Sequence, residues 1–493
     1  MPVSATRPET IRLAPDLEIS RILVGLWQVA DMERDGRALD LDKAASALAD
    51  YARAGFTTFD MADHYGSAEL ITGRCLKRLA NDRNRPVVLS KWVPEPGPMS
   101  PEIVRTAVEE RLARLGVPKI DVLQLHWWQY ENPGYLDAMA ELHELRREGL
   151  IGHLGLTNFD TAHLRVLVTS GLPVATNQVC FSLLDRRAAG EMSAFCLANN
   201  VKLLAFGTLG GGFLSERWLG ATEPADGEIT DWSKMKYRRF IDAAGGWEPF
   251  QRLLGALARI ADKHGVSVAN VATRWVLQHP AIGGVIIGAR LGESEHRADN
   301  LRLFGFALDD SDLAAIDEAL AALAPIPGDC GDEYRKPPFL TASGDLSHHL
   351  SQLPPIYRAT QTPGRPDRRR IDTGSVWEPL AGYSRAVRTG NRILVSGTTA
   401  THGAGQVVCP GDPAGQTVYI LDKIAASIMA LGGSIEDVVR TRIYVREKRM
   451  WEDVARMHGR VFGAIRPANT LIECSGLIGD YDVEIEAEAE VIS

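Results

Sequence analysis

The sequence of 493 residues predicts an α/β fold, a closed (β/α)8 TIM barrel, followed by a smaller α+β unit. Apolar runs alternate with segments of helical periodicity over roughly 300 residues, which implies a parallel sheet covered by helices. Polar residues stand at the ends of several runs, where a barrel keeps its chemistry. The alternative is an open doubly wound sheet. If it bound a dinucleotide, it would carry a glycine-rich fingerprint after its first strand, and the sequence has none.

The apolar runs give eight strands at 22–27, 56–59, 86–92, 120–126, 151–156, 174–178, 201–206 and 282–287. Between these strands, apolar residues recur at helical spacing, and residues typical of helix ends flank these segments. Asp40 can cap one helix, and Ser100 with Pro101 begins another as N-cap and first residue should. The long stretch from 214 to 247 is either a loop that closes over a ligand or a surface insertion.

Charge and composition narrow the class of protein. The net charge is -9, with 45% hydrophobic and 24% charged residues, which favours neither nucleic acid nor an anionic membrane as a partner. Six widely spaced cysteines without a Cys-x-x-Cys pair suit a reducing compartment and indicate no zinc site. The first twenty residues lack a secretory pattern, and we expect a cytoplasmic protein without a membrane span or a metal.

Four polar residues stand at or just past the ends of three successive predicted strands: Asp60, Tyr65, Lys91 and His126. In a barrel these ends surround one opening. A free tyrosine is a weak acid–base catalyst near neutral pH, but a neighbouring lysine ammonium favours its phenolate. We therefore expect Tyr65 to exchange the proton and Asp60 to pair with Lys91. His126 would orient a carbonyl oxygen or share the proton.

The motifs around these residues are D-M-A-D-H-Y-G at 60–66, S-K-W at 90–92, L-Q-L-H at 123–126, G-L-T-N-F at 155–159 and N-Q-V at 177–179. With them, residues 20 to about 322 resemble the aldo-keto reductase family. The resemblance implies a (β/α)8 barrel that binds a nicotinamide dinucleotide without a Rossmann fold. It implies hydride transfer to an aldehyde, ketone or sugar, or the reverse oxidation of an alcohol. Tyr65 would be the general acid.

The same resemblance implies a cofactor site. Thr157, Asn158 and Gln178 match residues that hydrogen-bond the nicotinamide carboxamide, and Phe206 matches the aromatic residue that stacks on its ring. Arg290 is the candidate for an adenosine 2′-phosphate, because a guanidinium fits phosphate geometry. We expect NADP(H), with NAD(H) as the alternative. The other expected cofactor residues are Gly25, Trp27, Gly207, Thr208, Leu209, Gly288, His296 and Asn300.

Periodicity disappears from about residue 325, where prolines cluster and arginines follow at 365 and 368–370. This change divides the chain into a barrel at 1–325, a connector at 326–375 and an α+β unit with an antiparallel sheet at 376–493. We expect the arginines to be solvated charges of the connector.

The last unit carries G-Y-S-R-A-V-R-T-G-N-R-I-L-V-S-G at 382–397, R-P-A-N-T at 466–470 and V-E-I-E-A at 483–487. It resembles the RidA/YjgF family, which has a chorismate-mutase-like α+β fold and forms trimers. Active members hydrolyse 2-imino acids with an arginine that binds the substrate carboxylate, and Asn469 stands at that position here. A neutral amide cannot replace a guanidinium fork.

The resemblance therefore implies a domain that trimerises the chain or binds a small molecule without catalysis. Its candidate cleft residues are Tyr383, Asn469 and Glu486. The alternative is a bifunctional enzyme whose second domain hydrolyses imines or binds a metabolite, coupled to the reductase.

Overall fold

The structure is a computed structural model that describes residues 7–30, 39–82, 85–95, 97–225, 227–293, 296–335 and 354–492. In the first part of the chain, the described residues form ten strands. They are β1 Thr10–Ala14, β2 Leu17–Ser20, β3 Ile22–Gly25, β4 Thr58–Asp60, β5 Val87–Trp92, β6 Ile120–His126, β7 Ile151–Thr157, β8 Val174–Cys180, β9 Lys202–Phe206 and β10 Ile282–Gly288. Strands β3 to β10 pair in parallel in chain order, and β10 returns to β3. The predicted closed (β/α)8 barrel is confirmed.

Helices cover the outside of this barrel. They are α1 Leu41–Arg53, α2 Ala68–Arg78, α3 Pro101–Leu115, α4 Tyr135–Arg147, α5 Thr161–Thr169, α6 Glu191–Ala198, α7 Trp232–Ala243, α8 Trp247–His264, α9 Val268–Leu277, α10 Arg297–Arg302, α11 Asp310–Leu320 and α12 Asp332–Arg335. Asp40 accepts hydrogen bonds from two backbone N–H groups of α1, and Ser100 caps α3. Gly116 ends α3 with a φ of 65°, a left-handed conformation that glycine adopts without strain.

The hairpin of β1 and β2 closes the N-terminal end of the barrel. Its apolar side chains form a small buried cluster with residues that point into the barrel: Leu13, Leu17, Ile19, Leu23, Leu89, Val122 and Leu204. Because this end is filled, a ligand can reach the barrel axis only from the C-terminal ends of the strands.

The second part of the chain forms a seven-stranded sheet and a small two-stranded one. The strands are β11 Thr360–Thr362, β12 Arg365–Ile371, β13 Ala386–Thr389, β14 Arg392–Thr399, β15 Thr401–His402, β16 Gln406–Val407, β17 Val438–Val445, β18 Ala468–Glu473 and β19 Val483–Glu490. The order in the large sheet is β11-β12-β13-β14-β19-β17-β18. The helices are α13 Trp377–Ala381, α14 Pro413–Ala430 and α15 Trp451–Phe462.

This sheet differs from the sequence expectation in two respects. First, β17 and β18 pair in parallel, whereas a wholly antiparallel sheet was expected. Second, β11 and β12 lie within 326–375, which was expected to be a connector, and β12 pairs with β13. Most of β12 is exposed, so the strand carries arginines instead of an alternating apolar pattern and has no periodic signal. Within the described ranges, no helix is both long and apolar enough to cross a membrane.

Helix α5 of the barrel packs against α14 of the second part, and a buried histidine connects them. His163 Nδ1 lies 2.8 Å from Asp160 Oδ1, and its Nε2 lies 3.2 Å from Asp422 Oδ2. Tyr135 donates a hydrogen bond of 2.8 Å to the same Asp422 carboxylate. The ring of Tyr130 stacks on the imidazole with centroids 3.3 Å apart. The histidine therefore joins carboxylates from both parts of the chain.

The charge of this histidine depends on opposing effects. Burial alone would lower the pKa of His163, but the carboxylates of Asp160 and Asp422 outweigh burial and raise it to about 9. The imidazolium is thus the form that fits between them at neutral pH.

We expect the stability of the chain to fall as pH rises through about 9, where the His163 imidazolium loses its proton. Because the folded-state pKa lies above the ordinary value of 6.5, the stabilisation is complete below pH 6.5 and lost above pH 9. Its upper bound is roughly 3 kcal/mol. Urea unfolding of the wild type and of His163→Gln over this range should show the difference between them shrinking. A difference that does not change with pH would contradict the assignment.

Candidate active site

A cavity of about 610 Å³ opens at the C-terminal ends of the barrel strands. Residues from all eight barrel strands, or from the segments that follow them, line it. Every residue that the sequence predicted for catalysis or cofactor binding is among them: Gly25, Trp27, Asp60, Tyr65, Lys91, His126, Thr157, Asn158, Gln178, Phe206, Gly207, Thr208, Leu209, Gly288, Arg290, His296 and Asn300. The barrel brings these positions together, and their roles stay predictions.

A buried ion pair lies at the base of the cavity. Lys91 Nζ donates to Asp60 Oδ2 at 2.7 Å and to the carbonyl oxygen of Met61 at 2.9 Å. Both charged side chains are only 4% exposed. Burial lowers the pKa of Lys91, while the Asp60 carboxylate opposes that change. The pairing that the sequence predicted is therefore present, and it keeps a cation in a site with little water.

Tyr65 lies beside this cation. Lys91 Nζ is 5.0 Å from the centre of the phenol ring. The indole of Trp27 contacts the same ring edge to face, with centroids 5.0 Å apart. The phenol is thus held between an aromatic wall and an ammonium group, both within the cavity.

His126 is the last residue of β6, where it pairs with Thr157 of β7. Its Nδ1 lies 3.4 Å from the amide nitrogen of Asn158, which donates to it. Burial, followed by the nearby charges of Arg335, His64, Lys236 and Lys91, holds the pKa of His126 well below 6.5. A neutral imidazole that accepts at Nδ1 carries its proton at Nε2. That Nε2 is buried and finds no hydrogen-bond partner in the described protein, so it is available to a ligand oxygen.

Asn158 itself has a left-handed backbone, with φ of 58°. This conformation is uncommon for residues other than glycine, although asparagine tolerates it, and such residues concentrate at functional sites. Its N–H donates to the carbonyl oxygen of Gln178 at 2.8 Å. The side-chain oxygen of Asn158 is buried without a partner in the described residues. Gln178 donates from its amide nitrogen to Asp60 Oδ1 at 2.7 Å, which connects the ion pair to β8.

The segment after β9 lines the cavity with a glycine, which lets a ligand approach the backbone closely. Phe206 ends the strand, and Gly207 follows with φ of 72°. A Cβ at Gly207 would collide with the hydroxyl of Tyr237, so no larger residue fits there. The hydroxyl of Thr208 is buried and has no described partner. Together with His126 and Asn158, this gives three buried polar atoms that a bound polar ligand could satisfy.

Arg290 lies at the other end of the cavity, where β10 ends. Its side chain is 49% exposed and donates to Gln28 Oε1 at 3.0 Å and to Asp231 Oδ2 at 3.1 Å. His296 and Asn300 line the same end, from the start of α10. These contacts hold the guanidinium at the opening, where an anionic group of a ligand could replace Asp231.

The cavity lining also includes residues that the sequence did not assign to the site, among them Lys236, Tyr237 and Tyr334. Lys236 and Tyr237 come from α7, which occupies part of the stretch 214–247 that was expected to be a loop or an insertion. Tyr334 comes from α12, inside the expected connector. The sequence around residue 334 has no periodic apolar pattern. The one signal for Tyr334 was an aromatic residue shortly after the end of the barrel.

The candidate cleft residues of the second part are not brought together within one chain. Asn469 pairs with Thr441 on β17 and donates to its hydroxyl at 2.9 Å. Glu486 pairs with Arg442, the next residue of β17. Because successive strand residues point to opposite faces, Asn469 and Glu486 lie on opposite faces of the sheet. Tyr383 precedes β13 and accepts a hydrogen bond of 3.1 Å from Arg385.

The barrel and its polar C-terminal end define a (β/α)8 protein whose site holds a Tyr, a Lys–Asp pair and a His. Residues 21–321 match the family model of the aldo/keto reductase family, and this is more than half of the chain. The chain therefore belongs to the aldo/keto reductase family. Residues 373–491 match the family model named Endoribonuclease L-PSP, so a RidA/YjgF-type domain follows the barrel.

Several known proteins are similar to parts of the chain. The NADH-specific methylglyoxal reductase of Escherichia coli is 24% identical over 332 residues, which covers 62% of this chain and 97% of that protein. A glycerol dehydrogenase structure from Gluconobacter oxydans is 26% identical with a TM-score of 0.52, covering 65% of this chain and 97% of that one. An uncharacterized protein of Streptomyces coelicolor is 38% identical over 122 residues, or 24% of this chain and 90% of its own length.

Proposed function

We propose that the barrel is an NADP(H)-dependent oxidoreductase that interconverts a carbonyl substrate, an aldehyde, ketone or sugar, and its alcohol. The observation that carries the proposal is the placement of Tyr65, the buried Lys91–Asp60 pair and the neutral His126 around one cavity. These groups are suited to moving one proton to or from a substrate oxygen. Bound nicotinamide would supply or accept the hydride.

Tyr65 is the proposed general acid in reduction and base in oxidation. It can give its phenolic proton to the substrate oxygen because the Lys91 ammonium, 5.0 Å from the ring centre, stabilises the phenolate left behind. Asp60 keeps Lys91 in place and charged. His126 donates from Nε2 to the same substrate oxygen and so orients the carbonyl, without contributing a proton at neutral pH.

The residues present suit a nicotinamide dinucleotide. The unpartnered oxygen of Asn158 and the hydroxyl of Thr208 would hold its carboxamide end and its phosphates, respectively, while Phe206 would stack on the ring. Arg290 would bind a 2′-phosphate, which favours NADP(H). NAD(H) is the alternative, since the similar Escherichia coli reductase is NADH-specific.

Replacement of the phenol tests the proton donor. We expect Tyr65→Phe to lower kcat for carbonyl reduction by about 10²–10⁴-fold, the usual contribution of a positioned acid. NADPH binding should stay nearly unchanged, because only one hydroxyl is removed. A panel of carbonyls and alcohols followed by NADP(H) absorbance gives the first value, and fluorescence titration gives the second.

Tyr51→Phe is the matched control, since Tyr51 is buried on α1 outside the cavity and contacts Phe56. It should leave kcat unchanged. Ordinary kcat in Tyr65→Phe would show that another group supplies the proton.

The cofactor preference is tested at Arg290. Arg290→Gln should raise the KM for NADPH roughly tenfold or more and leave the KM for NADH unchanged, because only NADPH carries the 2′-phosphate that a guanidinium binds. Arg297→Gln, on α10 and outside the cavity, is the control. An equal change for both cofactors in Arg290→Gln would place the 2′-phosphate elsewhere.

We further propose that the second domain is non-catalytic and assembles the chain into a trimer. The amide of Asn469 donates to the hydroxyl of Thr441, and this position offers no guanidinium that could bind a substrate carboxylate. One face of the sheet packs on the helices, while the other carries ion pairs, such as Arg442 with Glu488 at 3.0 Å, and also exposes Leu394 at 46% and Ile472 at 48%. Exposed leucine and isoleucine side chains surrounded by polar residues favour association with another protein surface.

Light scattering of the full chain tests this assembly. We expect a mass three times that of the 53.8 kDa chain, and a monomer for Leu394→Arg, which places a charge on the exposed sheet face. Leu197→Arg, on α6 of the barrel and 47% exposed, should keep the wild-type mass. A monomeric wild type would refute the trimer. The same mass in the wild type and in Leu394→Arg would refute the surface.

A further inference from the structure

Residues 329–335, which we term the rim segment, lie between the two family matches at 21–321 and 373–491. Tyr334 of this segment lines the cavity. Its ring lies 5.6 Å from His126, edge to face. Its hydroxyl accepts a hydrogen bond of 2.5 Å from Lys236, another buried residue of the cavity. The rim segment thus contacts the group that we propose to orient the substrate oxygen.

The barrel fixes one side of the rim segment. Arg187, which is almost completely buried, donates to the carbonyl oxygen of Asp329 at 2.6 Å and to Glu333 Oε2 at 2.8 Å. Asp185 shares the same guanidinium at 2.7 Å. Arg335 donates to the carbonyl oxygen of Trp127 at 2.8 Å. These contacts attach the segment to the loops after β6 and β8.

The second domain fixes the other side through one residue, Arg460 of α15. One guanidinium nitrogen lies 2.9 Å from Asp329 Oδ2, in the rim segment. The other lies 2.9 Å from Asp160 Oδ2, two residues after Asn158. The planar fork of arginine suits two carboxylates at once. The Arg460 side chain therefore joins the rim segment to Asp160 at the start of α5. Two residues earlier in the chain, Asn158 contacts His126.

We propose that Arg460 is a positioning residue of the barrel site, so that the second domain completes the site for the reaction proposed above. Without this guanidinium, the carboxylate of Asp329 loses a partner, and the link between the rim segment and Asp160 is broken. The segment then keeps only its barrel contacts through Arg187, Arg335 and Lys236, so we expect Tyr334 to be held less firmly against His126. The inference rests on the proposed function only for its kinetic consequence, because the positioning itself can be measured without substrate.

Hydrogen exchange of the full chain measures the positioning directly. The N–H groups of Asp332 and Tyr334 donate to the carbonyl oxygens of Asp329 and Gly331. In Arg460→Met we expect these amides to exchange roughly tenfold faster or more, because the local opening of the segment becomes easier. Arg456→Met is the control, since Arg456 lies on the same helix and pairs only with Glu452 among the contacts of the described residues. Equal exchange in wild type and Arg460→Met would overturn the proposal.

Kinetics then test whether Arg460 acts through Tyr334. Arg460→Met and Tyr334→Ala should each lower kcat/KM for the carbonyl substrate roughly tenfold, and the double variant should be no worse than Tyr334→Ala alone. Arg460→Lys should recover part of the loss, and Arg456→Met should match the wild type. If the losses of kcat/KM in the two single variants multiply in the double variant, the claim that Arg460 acts through Tyr334 is wrong. A wild type without carbonyl turnover would refute the proposed function, whereas the exchange measurement would still decide the positioning.

Discussion

The buried ion pair of Lys91 and Asp60 is the interaction on which the rest of the site depends. Removing either charge from water is costly, and such a pair persists only when each partner is also hydrogen-bonded. Asp60 accepts from Lys91, Gln178 and, at 3.3 Å, Gln124. These partners come from three other strands, and the one on β8 is reached from β4 because the barrel closes, so closure supports the ion pair that we propose to favour a tyrosinate. In an open sheet, β4 and β8 would be four strands apart and the hydrogen bond from Gln178 would be lost.

The second domain adds to this site from outside the barrel. Three of its residues reach the barrel's α5 region: Asp422 receives the imidazolium of His163, Asp412 lies 3.3 Å from Arg165, and Arg460 bridges Asp160 and Asp329. Because Asp160 follows the segment of β7 that we propose to contact the cofactor, the contact between the two parts lies next to the proposed chemistry. The fused domain therefore contacts the barrel beside the proposed site, in addition to the assembly role that we propose for it.

Much of the fold and the centre of the site could be predicted because their signals are local. The eight barrel strands are mostly apolar runs of three to seven residues, and Asp60, Lys91 and His126 lie at or near strand ends, which a barrel brings together around one opening. Tyr334, Lys236 and Arg460 could not be predicted in the same way. Their positions depend on how a short helix, an apparent loop and a second domain pack against the barrel, and no periodicity encodes such packing. The strand at 365–371 was missed because an exposed strand has no buried face to mark it.

The most direct measurement of the central claim is an experimental structure of the full chain with NADP⁺ and a carbonyl inhibitor. The account predicts the nicotinamide ring on Phe206, its carboxamide on Asn158, and the inhibitor oxygen within hydrogen-bond distance of both Tyr65 and His126 Nε2. The 2′-phosphate would lie on Arg290. A nicotinamide bound elsewhere, or an inhibitor oxygen that contacts neither Tyr65 nor His126, would contradict the account.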